Sequence, residues 1–165
     1  MGVVVRMVYP ASVDFTDDGQ VAVRFPDFAS AEVVAPDEME AIALAEDALI
    51  AAIDGLMWAE EPIPHPGVAQ NGLLGVALPV EAAAKVAIYQ TAAESGKSVS
   101  AFADSLGMSR ESLRHLTDIT ASVSMADLET TLALVGKRLI ADIDIADSGD
   151  LMQGDTDPII VRPFD

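Results

Sequence analysis

Residues 98–116 read S-V-S-A-F-A-D-S-L-G-M-S-R-E-S-L-R-H-L. Arg110 and Arg114 lie four positions apart, with Ser109, Ser112 and His115 beside them and Ser98 a short way upstream. Guanidinium groups bind phosphates and the acceptor edge of guanine, and hydroxyl and imidazole groups bind phosphate oxygens or base edges. The chemistry open to this group is recognition of DNA, with Ser98, Ser109, Arg110, Ser112, Arg114 and His115 as the candidate contacts. The bland alternative is a pair of helices that merely pack.

Two helices and a turn must position these side chains. Phe102, Ala103 and Leu106 share one face of a short first helix. Gly107 stands where that helix must stop, because glycine enters the left-handed region at little cost. Ser109 is a suitable N-cap for a second helix whose apolar face is Leu113 and Leu116. The small Ala103 allows close approach of the two helices. The pattern predicts a helix-turn-helix with Arg110, Ser112, Arg114 and His115 turned to solvent.

Net charge opposes that reading at first sight. The chain of 165 residues carries a formal charge of −18, and DNA repels negative surfaces. The charge is unevenly placed: −11 over residues 1–78, −1 over 79–140 and −6 over 141–165. The nearly neutral part contains the candidate contacts, and the acidic first part calls for another explanation, such as a basic partner. Half the chain is hydrophobic and it holds no cysteine, which excludes a disulfide framework and thiolate metal sites. With no signal-peptide pattern and no apolar run of membrane-spanning length, a cytoplasmic protein without membrane contact is expected.

In chain order, Ala11, Val13 and Phe15 alternate with polar residues, Asp17-Asp18-Gly19 marks a turn, and Val21, Val23 and Phe25 alternate again. This predicts a β-hairpin with the apolar sets buried. Val3 to Val8 would extend the first strand upstream, and Ala31 to Val34 would form a short third strand. Pro36 is placed to open a helix, with Asp37, Glu38 and Glu40 in its first turn. Met39, Ile42, Leu49, Ile53 and Leu56 give it an apolar face, with Ala45 and Ala52 between, and Gly55 weakens its end. Glu60 to Pro66 contains three prolines and predicts an extended connector. Leu73 to Leu78 suits a buried strand closing a first domain, residues 1–78.

A second domain, residues 79–145, starts with a helix over 80–95 that presents Ala82, Val86, Tyr89 and Ala93 and stops at Gly96. After the helix-turn-helix, Ser124 and Asp127 form a capping box for a helix carrying Leu128, Leu132 and Val135, ended by Gly136. Lys137 and Arg138 then favour a helix C-terminus on electrostatic grounds alone. Leu139, Ala141, Ile143 and Ile145 allow a strand. Residues 146–165 are an acidic tail, with Ile159 to Val161 as a further possible strand.

Three stretches resemble HicB antitoxins: Y-P-A-S-V-D-F-T-D-D-G-Q-V-A-V-R-F-P-D-F, the helix opening P-D-E-M-E-A-I, and E-E-P-I-P. The run from Lys85 to Leu116, followed by G-K-R-L, resembles the helix-turn-helix domain of the same family. The likeness covers about residues 7–140 in the family's order. It implies an α+β protein whose N-terminal domain is a partial ribonuclease-H-like β-β-β-α-β fold, followed by an all-α DNA-binding domain. It also implies a small basic mRNA-interferase toxin, HicA, as partner, and repression of the operon through an inverted-repeat operator bound by a homodimer or tetramer. The family's glycine-cysteine pair after the second strand is replaced by Ala29-Ser30, so that turn can differ. Toxin contacts are not legible in the residues; Asp17, Asp18, Glu60 and Glu61 are the acidic candidates.

A ribonuclease-H-like fold with many carboxylates raises a two-metal nuclease reading, for which Asp14, Asp27, Glu46 and Asp47 would be the ligands. Their places on a polar strand face, in a turn and on a solvated helix side favour surface charge instead. His65 stands among prolines. No nucleophile-base pair, metal-ligand spacing or phosphate loop is present, so neither an enzyme nor a cofactor is expected. The competing reading is a helix-turn-helix regulator whose N-terminal domain senses a small molecule or only oligomerises.

Overall fold

The computed structural model describes residues 6–68 and 70–140. Asp17-Asp18-Gly19 reverses the chain as its turn chemistry demands. Gly19 takes a φ of 76°, and Thr16 and Gln20 close the turn through a 2.8 Å N–H···O bond. The strands it joins are β1 (Val8–Phe15) and β2 (Val21–Phe25), paired antiparallel with Phe15 opposite Val21. β3 (Phe28–Ala35) runs back along β2, and β4 (Leu74–Ala77) pairs antiparallel with the start of β1, giving the order β3-β2-β1-β4.

Three details depart from the alternation pattern. Phe15 is 75% exposed rather than buried, because β4 flanks only Val8 to Ala11 and leaves the far end of β1 as a sheet edge. β3 begins at Phe28, directly after the Pro26-Asp27 turn, so Ala29 and Ser30 belong to the strand. β1 starts at Val8; Met7 still accepts a backbone bond from Leu78, and Val3 to Val5 lie outside the described residues.

Helix α1 (Glu38–Trp58) covers one face of the sheet, packing on β3 and β2. Its cap is Asp37, whose carboxylate accepts from Glu40 N–H at 2.9 Å. A side-chain cap that satisfies an orphan N–H outweighs the preference of proline for the first turn, so Pro36 stands outside the helix rather than opening it. The buried stripe is Ala41, Ala45, Leu49 and Ile53, spaced four apart, while Met39 is 81% exposed. Small alanines let the helix lie close to the strands, which rotates the buried face away from Met39. Gly55 does not end the helix, which runs on to Trp58.

Helix α2 (Val80–Glu94) serves two hydrophobic cores. Ala82 and Val86, with the half-buried Tyr89, pack into the core of the sheet and α1. Ala84 and Ile88 pack into a second core made with α3 (Val99–Ser105), α4 (Arg110–Thr117) and α5 (Met125–Leu134). Ala93, expected on the buried face, is exposed. Two polar residues inside α2 are buried instead. Lys85, 1% exposed, donates to Glu81 Oε1 at 2.9 Å and to the carbonyl of Ala121. Gln90 Nε2 donates to the carbonyl of Ile63.

The proline-rich connector is extended, and neighbouring elements hold it down. Tyr89 Oη donates to Glu61 O and Tyr9 Oη to Pro64 O, each at 2.9 Å. His65 Nε2 lies 2.7 Å from Glu94 Oε1, and Asp27 accepts from Gly67 N–H at 2.9 Å. Leu139 and Ile140 form no strand. The rest of the possible strand at Ala141 to Ile145, the acidic tail 146–165 and the Ile159 to Val161 segment lie outside the described residues.

Candidate nucleic-acid interface

Serine caps and a glycine turn set the geometry of α3 and α4. Ser98 Oγ accepts from Ala101 N–H at 3.2 Å, and Ser109 Oγ from Ser112 N–H at 3.0 Å. Gly107, with φ 72°, lets its own N–H reach Asp104 O and that of Met108 reach Ala103 O. Both bonds close the helix end, and the turn brings Met108 back onto the second core. Phe102, Ala103 and Leu113 are buried there, and Leu106 and Leu116 pack against it. The helix-turn-helix spacing thus corresponds to two short helices held by one small apolar core.

That packing leaves Arg110, Glu111, Ser112, Arg114 and His115 exposed. Arg110 makes no ion pair among the described residues. Ser112 Oγ is 2.8 Å from Ser109 Oγ, so the two hydroxyls engage each other at the N-terminus of α4. Ser98 and Ser109 therefore have structural duties as caps, whatever else they touch. Arg114 and His115 lie in the last turn of α4, where their charge also favours the helix dipole. Arg114 is engaged as well: its Nη2 lies 3.1 Å from Glu60 Oε1.

Glu60 reaches that position through an unusual backbone. Its φ is 55°, the one positive value on a non-glycine among the described residues. Glu60 N–H donates to Met57 O and Glu61 N–H to Leu56 O, a helix-closing turn that ordinarily employs glycine. A side chain in this left-handed region costs on the order of 1–2 kcal/mol. The sequence gives no sign of it, since Trp58-Ala59-Glu60 lacks a glycine. Between the end of α1 and α4 lies a cleft of about 900 Å³. Met57, Trp58, Tyr89 and Ile119 contribute apolar surface, and Lys97, Arg110 and Arg114 contribute positive charge.

The acidic candidates are dispersed. Asp17 and Asp18 are exposed at the hairpin tip, and Glu60 and Glu61 follow α1. Asp14 pairs with Arg24 at 3.5 Å on the sheet face turned away from α1, Asp27 binds Gly67, and Glu46 and Asp47 are exposed on α1. Among the described residues no three His, Cys, Asp or Glu side chains gather as a metal site, and no helix is long and apolar enough to cross a membrane.

Lys85 and the N–H of Val123 hold the Glu81 carboxyl below its ordinary value by hydrogen bonding. Hydrogen bonds from Thr120 do the same for Asp118 beside the cleft. Burial, reinforced by the charge of Asp27, pushes the Tyr9 phenol well above its usual range.

Residues 8–87 match the family described as the HicB-like antitoxin of bacterial toxin-antitoxin systems. Two proteins of Photorhabdus laumondii are similar over more of the chain. Antitoxin HicB 2 is 29% identical over 134 residues, covering 81% of this chain and 94% of its own. Antitoxin HicB 1 is 25% identical over 142 residues, covering 86% and 90%. These likenesses group the sheet-and-helix arrangement followed by small helices with antitoxins of toxin-antitoxin systems. The chain is thus similar to HicB-like antitoxins over residues 8–87, and to the two antitoxins over most of its length.

Proposed function

We propose that the protein binds and blocks a small basic HicA-type mRNA-interferase toxin and represses its own operon through α3 and α4. The observation that carries the DNA half is Arg110. It stands exposed in the first turn of a serine-capped α4, with no ion pair among the described residues. The acidic first domain, expected over residues 1–78 and of partial ribonuclease-H-like form, is the toxin-binding part. A surface that binds RNA must be positive, and carboxylates complement it and accelerate encounter. The division of labour leaves residues 79–145 for DNA. One helix pair spans only a few base pairs, so a homodimer or tetramer on an inverted repeat is required, with half-sites in multiples of ~10 bp.

Co-purification of the full chain with the product of the adjacent reading frame, rescue of growth, and footprinting of the shared promoter test this together. A symmetric footprint and toxin capture are expected. A single asymmetric half-site sinks the operator reading, and failure to capture or rescue sinks the toxin reading.

A further inference from the structure

The outer side of α1 has a composition that packing on the sheet does not account for. Glu40, Asp47 and Asp54 recur every seven residues, two helical turns apart, so they form one row along the helix. Four residues after each of them stand Leu44, Ala51 and Trp58, an apolar row beside the acidic one. Leu44 is 41% exposed, Trp58 90% and Met39 81%. The sheet takes the opposite side of the helix, through Ala41, Ala45, Leu49 and Ile53. A helix face that meets only water commonly mixes charges of both signs, yet α1 carries five carboxylates and no lysine or arginine. None of the five joins an ion pair among the described residues. The cleft beside α4 touches only the C-terminal end of α1, at Asp54, Met57 and Trp58, and its cations Lys97, Arg110 and Arg114 are matched there by Asp54, Glu60 and Asp118. Glu38, Glu40, Glu46 and Asp47 lie outside that balanced group.

We propose that this side of α1 is the docking surface for a basic protein partner that brings apolar side chains of its own. That the partner is the toxin rests on the toxin-binding reading above; the chemistry of the surface comes from the helix itself. A row of carboxylates steers lysine and arginine side chains toward it. Leu44 and Trp58 supply apolar contact once water is expelled, and tryptophan is prominent among residues that dominate interfaces. Ala43, Ala51 and Gly55, all exposed, let a partner's backbone come close. Nucleic acid and anionic membranes are repelled by the same carboxylates, and a second copy of this face would set like charges against each other.

The test keeps the full chain and measures association and dissociation rates with the product of the adjacent reading frame. One variant carries Glu40→Gln and Asp47→Asn, a second Leu44→Ser and Trp58→Ser, and a third Asp17→Asn and Asp18→Asn at the hairpin tip, which removes the same charge elsewhere. Thermal melts establish that each is folded. Docking on α1 predicts association about tenfold slower in the first variant at low salt, a difference that vanishes at ~1 M salt, where charges are screened. It predicts dissociation about tenfold faster in the second variant and rates within about twofold of the parent in the third. Parent rates in both α1 variants overturn the docking while the toxin reading stands. An equal slowing in the hairpin variant assigns the effect to net charge and also overturns it. If the parent itself captures nothing, the toxin reading falls and this inference with it. A dimer of the free chain that the α1 substitutions dissolve gives the face to a second copy and overturns the proposal.

Discussion

Arg114 Nη2 meets Glu60 Oε1 at 3.1 Å, across 54 positions of the sequence. Arg114 is a candidate DNA contact and Glu60 a candidate toxin contact, and in the folded protein they hold each other. An exposed pair of this kind contributes ~0.2–1 kcal/mol, enough to bias an equilibrium but not to lock it. Glu60→Gly removes the carboxylate and places glycine where φ is 55°, relieving about 1 kcal/mol of backbone cost. The expected result is an unchanged or raised melting temperature together with operator affinity up to about fivefold tighter. Weaker operator binding in this variant would show that Glu60 orients Arg114 rather than withholding it.

Arg110 and Leu113 lie three residues apart on α4 and separate function from folding. Arg110→Ala is expected to weaken operator binding by roughly 1–3 kcal/mol while leaving thermal stability nearly unchanged. Leu113→Ala, in the second core, is expected to lose ~2–5 kcal/mol of stability through a cavity. Gel-shift titrations beside thermal melts of both variants check this.

Stability should fall at both ends of the pH scale for identifiable reasons. The Tyr9 phenol has a folded value raised above its ordinary 10, so its contribution is complete below pH 10 and is lost as pH rises toward the folded value. Tyr9→Phe should cost about 1 kcal/mol at neutral pH, because Pro64 O loses its donor, yet flatten the alkaline decline. Glu81 and Asp118 have lowered values, so their contributions hold above their ordinary 4.5 and 3.8. These contributions are lost as pH falls through the folded values. Urea midpoints from pH 3 to 11 measure both branches.

Lys85 and Glu81 make an asymmetric pair, one buried and one partly exposed. Glu81→Ala strands a buried ammonium with the Ala121 carbonyl and also removes the acceptor of Val123 N–H. Lys85→Met removes the buried charge itself. Greater destabilisation is therefore expected from Glu81→Ala, with the double variant recovering part of the loss.

Ala82 and Val86 belong to the first core, so a fragment ending at residue 78 exposes the surface they cover. A fragment ending at residue 95 should unfold at a higher temperature than one ending at 78 and should be the better test of toxin binding in isolation. Equal melting of the two would place the boundary at residue 78, directly after the strand that closes the sheet.

Local signals carried much of this architecture. Gly19, Gly96, Gly107 and Gly136 all take the positive φ that their positions implied, and Ser98, Ser109 and Ser124 cap the helices they precede. What escaped was set by distant partners. The buried face of α1 depends on how closely alanines can approach β2 and β3, which helical periodicity does not encode. Lys85 and Gln90 look like surface residues until Ala121 and Ile63 supply their carbonyls. The Arg114–Glu60 contact and the cleft beside it join segments whose relative placement is decided by α2.

The strand order β3-β2-β1-β4 imposes a schedule on folding. β1, β2 and β3 are neighbours in sequence and can pair as soon as residue 35 is available. β4 pairs with Val8 to Ala11 from positions 74–77, so its loop must close over some sixty residues, and such closures are the slow ones. Until then Tyr9 lacks the Pro64 carbonyl and β1 presents an open edge to any other strand. The interval between synthesis of β1 and arrival of β4 is therefore when a nascent chain is most exposed to mispairing and to proteases.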